Sequence, residues 1–206
     1  MTNEFGAHEA ELALRLGRLD RRRRVAFSAA CAERLWPLYV RFQSVTGEGD
    51  SEALAALIQR VWLAITRDDV DLSDLPAAVE ALEPAEDHPR FVEAGYAENA
   101  TACVFFALQS WLRDSVQDAV YAARQVYDVA DFAAQQFESG STFTPAMEER
   151  LRSSLFVVEA VRGINVDLAA VEVDDPDWDH LRDRARSEGR DWALAFPHGP
   201  EGVSDG

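Results

Sequence analysis

The chain has 206 residues, 48% hydrophobic and 28% charged, with a mean hydropathy of -0.21. A chain of this length buries about 70% of its unfolded surface, so it folds without disulfide or metal staples. It carries 37 acidic residues against 20 Lys and Arg, a net charge of -17, and all of those basic residues are arginine. That balance argues against nucleic acid, whose backbone is bound by cations that displace counterions, and against anionic membranes. It favours association with a basic partner.

The charge is nearly balanced over residues 1–50 and strongly negative over 51–170 and 171–206. Cys31 and Cys103 sit among apolar neighbours and read as small hydrophobes in a reducing cytosol. Glu4, Glu9, Glu11 and Arg15 interrupt any signal-peptide core. The longest apolar run, Ala102 to Leu108, falls far short of the roughly 20 residues of a membrane span. A cytoplasmic protein with no membrane contact is expected.

Hydrophobic periodicity is helical almost throughout. A first helix is expected over Glu9 to Leu19. Asp20 caps a second that runs to Thr46 and stops at Gly47, with a kink expected at Pro37. Its stripe of Phe27, Cys31, Leu35, Leu38, Phe42 and Val45 steps by three and four. Asp50 or Ser51 caps a third helix with Leu54, Leu57, Ile58, Val61, Trp62 and Ile65 inward. Ser73 starts a short fourth, which Pro84 and Pro89 end. The fifth, Arg90 to Asp114, is apolar on nearly all sides and is expected to be central. The sixth spans Val116 to Phe137, and Ser139-Gly140-Ser141 breaks it. Thr144-Pro145 starts a seventh that ends near Gly163. After it the acids crowd residues 172–179, and Asp175-Pro176 opens a last amphipathic helix to about Gly189. The remainder reads as frayed. The expected fold is all-α: a single bundle of about seven helices over residues 1–165, with an acidic C-terminal extension over 166–206.

The second and third helices carry a pattern. Ala26-Phe27, Ala32-Glu33-Arg34-Leu35, Pro37-Leu38-Tyr39, Arg41-Phe42, Gly47 and Gly49-Asp50 resemble domain of unknown function 416, the YjaG-like bacterial family. Val61-Trp62-Leu63 and the segment around Asn99-Ala100 are similar to it too. The resemblance covers roughly residues 10 to 165. It implies an all-α cytosolic protein and no particular activity.

Candidate chemistry is sparse. Asp177-x-x-His180 is one weak copy of a metal spacing, and a capping Asp with a surface His explains it better. His88, before Pro89, reads as solvated. No catalytic triad order and no glycine-rich phosphate loop stands out. No cofactor is expected. Arg21 to Arg24 point in four directions from a helix start, which argues against a nucleic-acid stripe. The acidic 172–191 segment is expected to fold back on that run. Arg34 and Arg41, seven apart, share a helix face and suit a carboxylate or phosphate. Tyr39, Trp62 and Asn99 complete the candidate ligand residues, although structural roles explain all five at least as well.

Three functions follow. The first is a non-enzymatic protein acting through protein contacts. The second is an immunity or antitoxin-like binder of a basic enzyme. The third is an enzyme or small-ligand sensor, with a site beside Pro37 built from Arg34, Tyr39 or Asn99. A homo-oligomer is compatible with all of them.

Overall fold

A computed structural model describes residues 4–67, 69–137, 151 and 153–199. Within them the chain is all-α: eight helices and no strand. These are α1 (Glu4–Leu16), α2 (Arg21–Thr46), α3 (Ser51–Thr66), α4 (Leu75–Glu80), α5 (Phe91–Leu112), α6 (Val116–Phe137), α7 (Leu155–Glu172) and α8 (Trp178–Ala195).

The local start and stop signals of α2 act as expected. The Asp20 side chain accepts from the Arg23 N–H at 2.9 Å, and Gly47 ends the helix in the left-handed region at φ +74°. Pro37 lies within it, and α2 continues as one helix of 26 residues. Asp50 caps α3 by accepting from the N–H groups of Glu52 and Ala53.

The central helix is α2, not α5. It packs against α3, α5, α6, α7 and α8. Apolar content misled here. The buried surface of α2 includes Arg24, Ser28, Glu33, Arg34 and Arg41 beside its hydrophobes; Ser28 donates to the Arg24 carbonyl of its own helix, and the four charged groups find partners on other segments. Around it Phe27, Leu35, Tyr39 and Tyr96 share one core with Leu168 and Phe196.

Unlike Gly47, two further glycines expected near helix ends lie inside helices. Gly163 sits within α7 and Gly189 within α8. A Cβ on Gly189 would lie 2.1 Å from the Arg34 carbonyl oxygen, and one on Gly163 would lie 3.2 Å from the Arg34 guanidinium carbon. The glycines are spent on close approach to α2 rather than on termination. Residues 139–141 and Thr144-Pro145 lie outside the described residues.

The segment expected as an acidic extension with a frayed end is part of the bundle as far as Gly199. Leu181, Ala185 and Trp192 of α8 are buried against the core. Phe196 beyond it is 1% exposed and stacks on Trp192. The Arg41 guanidinium donates to the carbonyls of Ala193, Phe196 and Pro197, so a cation from α2 closes the carbonyl end of α8. Glu93 of α5 accepts from the Gly199 N–H at 3.0 Å, and the Tyr96 hydroxyl donates to the Pro197 carbonyl at 3.3 Å. The acidic stretch reaches the Arg21–Arg24 run at Arg23, which donates to the Asp174 carbonyl, while Arg21 donates to the Trp111 carbonyl and Arg24 to the Leu19 carbonyl and the Asp114 carboxylate. Cations at the start of α2 thus meet the exposed carbonyl ends of the α1 turn and of α5.

Gly189→Ala is expected to cost about 3 kcal/mol or to displace α8, because the contact is with backbone. The exposed Ser187→Ala, two residues away, is expected to change denaturant stability by less than about 0.5 kcal/mol.

Candidate functional site

The five candidate side chains are held by the chain itself. Arg34 is fully buried. Its Nε and Nη2 donate to Glu188 of α8 at 3.1 and 2.8 Å, and Nη1 donates to Asp167 of α7. Arg184 donates to the other Asp167 oxygen. Trp62 donates from its indole N–H to Glu33 at 3.1 Å. Glu33, equally buried, also accepts from Arg182 at 2.8 Å and from Arg186. Arg41 holds the end of α8, with its guanidinium 5.0 Å from the Tyr96 ring centre. Asn99 is half-buried and donates to the Gly95 carbonyl of its own helix. So Arg34 and Arg41 do share a face, and that face docks α8.

Sequence reading missed the partners: Glu33, Asp167, Glu188 and the Arg182, Arg184, Arg186 series. One signal was available. Asp167 falls in step with Ala160, Ile164 and Val171 on the buried stripe of α7.

Burial opposes the charge on Arg34, but Asp167 and Glu188 outweigh it and hold the guanidinium above its ordinary range. Burial also pushes the Asp167 carboxyl up, against the pull of Arg34 and Arg184. The two tendencies conflict. We take the pair as ionised, because a guanidinium donor faces each Asp167 oxygen.

The remaining candidate chemistry is structural. Asp177 caps α8 by accepting from the His180 N–H, and His180 is exposed. Among the described residues no group of three His, Cys, Asp or Glu side chains could hold a metal ion, and no helix is long and apolar enough to cross a membrane. Cys31 and Cys103 are wholly buried, and desolvation raises both thiols far above the reactive range.

Among the described residues, one concave region is acidic. Two adjoining hollows of about 280 and 290 Å³ share Glu83, Pro84 and Ala85. Glu48 and Asp50 line the first, and Glu86, His88 and Glu98 line the second. Tyr39 rivets the walls from below. Its hydroxyl donates to the Leu82 carbonyl at 2.8 Å and accepts from the Asp50 N–H at 3.4 Å. Gly49, at φ +83°, lets the α2–α3 loop pass over that hydroxyl, where a Cβ would stand 2.8 Å away. His88 is not solvated as expected: it is 7% exposed, with its ring edge-on to Phe42. Its Nδ1 accepts from the Arg90 N–H at 3.0 Å, and its Nε2 makes no hydrogen bond. Glu48 lies 3.5 Å from that Nε2. Burial, reinforced by Glu80 and Glu98, raises the Glu83 carboxyl.

The sequence profile of the DUF416 family, described as a protein of unknown function, matches residues 11–189. The chain belongs to the DUF416 family. The matched span takes in all of α7 and most of α8, whereas the resemblance at residues 10 to 165 ended within α7. The chain is 34% identical over 77 residues to the uncharacterized protein YjaG of Escherichia coli K12. That match spans 36% of this chain and 39% of YjaG. A crystal structure of a DUF416 family protein from Shewanella baltica superposes with a TM-score of 0.71 at 18% identity, over 87% of this chain and 93% of that one. The two share a fold.

Two electrostatic outcomes are expected. Arg34→Met leaves Asp167 and Glu188 without their shared cation and is expected to cost about 3–5 kcal/mol in a denaturant titration. Adding Asp167→Leu is expected to recover part of that loss, since it removes a buried charge. The second concerns Asp128, whose carboxyl burial raises from 3.8 to about 6 against the pull of Arg124. A raised acid binds its proton more readily in the folded chain, so its contribution is full at low pH and is lost as pH rises through 6. Asp128→Asn is therefore expected to gain melting temperature relative to the parent between about pH 4 and pH 6 and to hold that gain above.

Proposed function

We propose that this DUF416 protein acts by binding another protein, and that the bound surface of the partner is basic. The observation that carries the reading is a run of exposed carboxylates on a chain of net charge -17, while Arg182, Arg184 and Arg186 turn onto buried carboxylates. Glu80, Glu83, Glu86, Asp87 and Glu98 face solvent along one stretch of the chain. A field of one sign at the surface steers a partner of the other and raises its association rate. The sensor or enzyme reading has less support, since Arg34, Tyr39 and Asn99 spend their hydrogen bonds on their own chain.

Native mass spectrometry of the protein, isolated from its own host at low salt, tests this. A stoichiometric complex with a basic chain is expected, and it should dissociate as salt shortens the screening length. If that partner is an enzyme silenced in the complex, the immunity-like form of the reading holds. A small molecule as the sole bound mass overturns the reading.

A further inference from the structure

The hollows beside His88 combine three features that a plain acidic surface lacks. The walls of the first are fixed to each other by one buried hydroxyl, Tyr39. Apolar groups are part of the lining, Phe42 in one and Ala94 and Gly95 in the other. And they contain a side chain with unspent polarity. With Nδ1 accepting from Arg90, the neutral His88 ring carries its proton on Nε2, which makes no hydrogen bond although the Glu48 carboxylate stands 3.5 Å away. Glu48, whose side chain is 65% exposed, is the near cover over it. A buried donor left without a hydrogen bond is unfavourable, and a ligand carbonyl reaching it relieves that.

We propose that this trough seats an extended basic segment of a partner protein, with Arg or Lys side chains on Glu48, Glu83 and Glu98 and a backbone carbonyl on the Nε2 proton of His88. The proposal rests on the basic-partner reading and gives it an address. The chemistry selects a peptide over a simple cation. Carboxylates alone would take any ammonium, but His88 asks for an acceptor next to the positive charge. Displacing the exposed Glu48 side chain toward an arriving cation uncovers Nε2 for the carbonyl that follows it.

A labelled arginine-rich peptide, titrated by fluorescence anisotropy against the full chain, reads this directly. Two triple variants remove equal charge. One is Glu48→Gln, Glu83→Gln and Glu98→Gln in the trough. The other is Glu11→Gln, Asp179→Asn and Asp183→Asn, all exposed and none lining either hollow. The trough variant is expected to bind at least about tenfold more weakly, a change of about 1.4 kcal/mol, and the control within about twofold. His88→Phe keeps a ring against Phe42 and removes the donor. It is expected to weaken binding while leaving its salt dependence unchanged, because no charge is lost. Equal weakening by both triples overturns the seat and leaves a diffuse acidic field, with the basic-partner reading intact. Full displacement of the peptide by an equal charge concentration of spermidine overturns the peptide in favour of a free polycation. Absence of peptide binding also overturns the seat, and the partner reading then stands or falls with the native complex.

Discussion

Glu33 and Arg34 follow one another in α2, and successive helical residues point about 100° apart. The acid and the base therefore cannot satisfy each other. Glu33 turns to the indole of α3 and to Arg182 and Arg186 on α8, while Arg34 turns to Asp167 on α7 and Glu188 on α8. Each buried ion costs several kcal/mol in lost hydration unless its donors and acceptors are met. The requirement sets the register of both C-terminal helices at once. A one-turn slip of α8 would part Glu33 from two guanidiniums and Arg34 from Glu188. Gly163 and Gly189 then let the backbones come close enough for those contacts. Hydrophobic burial drives α7 and α8 onto α2, and the ions decide where along α2 they stop.

The same arrangement touches the outside of the molecule. An arginine held by a buried carboxylate or a helix-end carbonyl no longer projects charge into solvent. Arg21, Arg24 and Arg41 close helix ends, and Arg34 serves the core. Glu80, Glu83, Glu86, Asp87 and Glu98 stay exposed, whereas Glu93 between them is buried and holds Gly199. The surface is acidic because acids outnumber arginines in the chain as a whole.

Tyr39 links this framework to the concave region. It stands on the same helix as the ion pair, and its ring is buried in the common core. Its hydroxyl joins the α2–α3 loop to the end of the α4 segment. The glutamates of two loops and the imidazole of His88 are positioned from below by an element that the ion network already holds. Residues so fixed present charge at a set spacing, which is what separates a recognition surface from a merely acidic one.

Much of the architecture was legible in local chemistry. Asp20, Gly47 and Asp50 marked helix boundaries because capping is decided within four residues. The start of α6 at Val116 followed in the same way. Arg34, Tyr39, Arg41 and Trp62 stood out as unusual residues on apolar faces, but their partners lie far along the chain. Glu33 and Arg186 are 153 positions apart, and Arg34 and Asp167 are 133. No local pattern encodes such a pairing. Gly163 and Gly189 carry the same lesson. A glycine at a helix end and one at a helix crossing look alike in one dimension, and only the neighbouring backbone tells them apart. His88 before its proline looked like an exposed loop residue, yet Phe42 and the fold of two loops enclose it. The sequence alone determined that the chain is helical, where most helices begin, and that acid outweighs base. The tertiary structure decided which charges are buried, because burial and pairing depend on approach from distant segments rather than on neighbours in the chain.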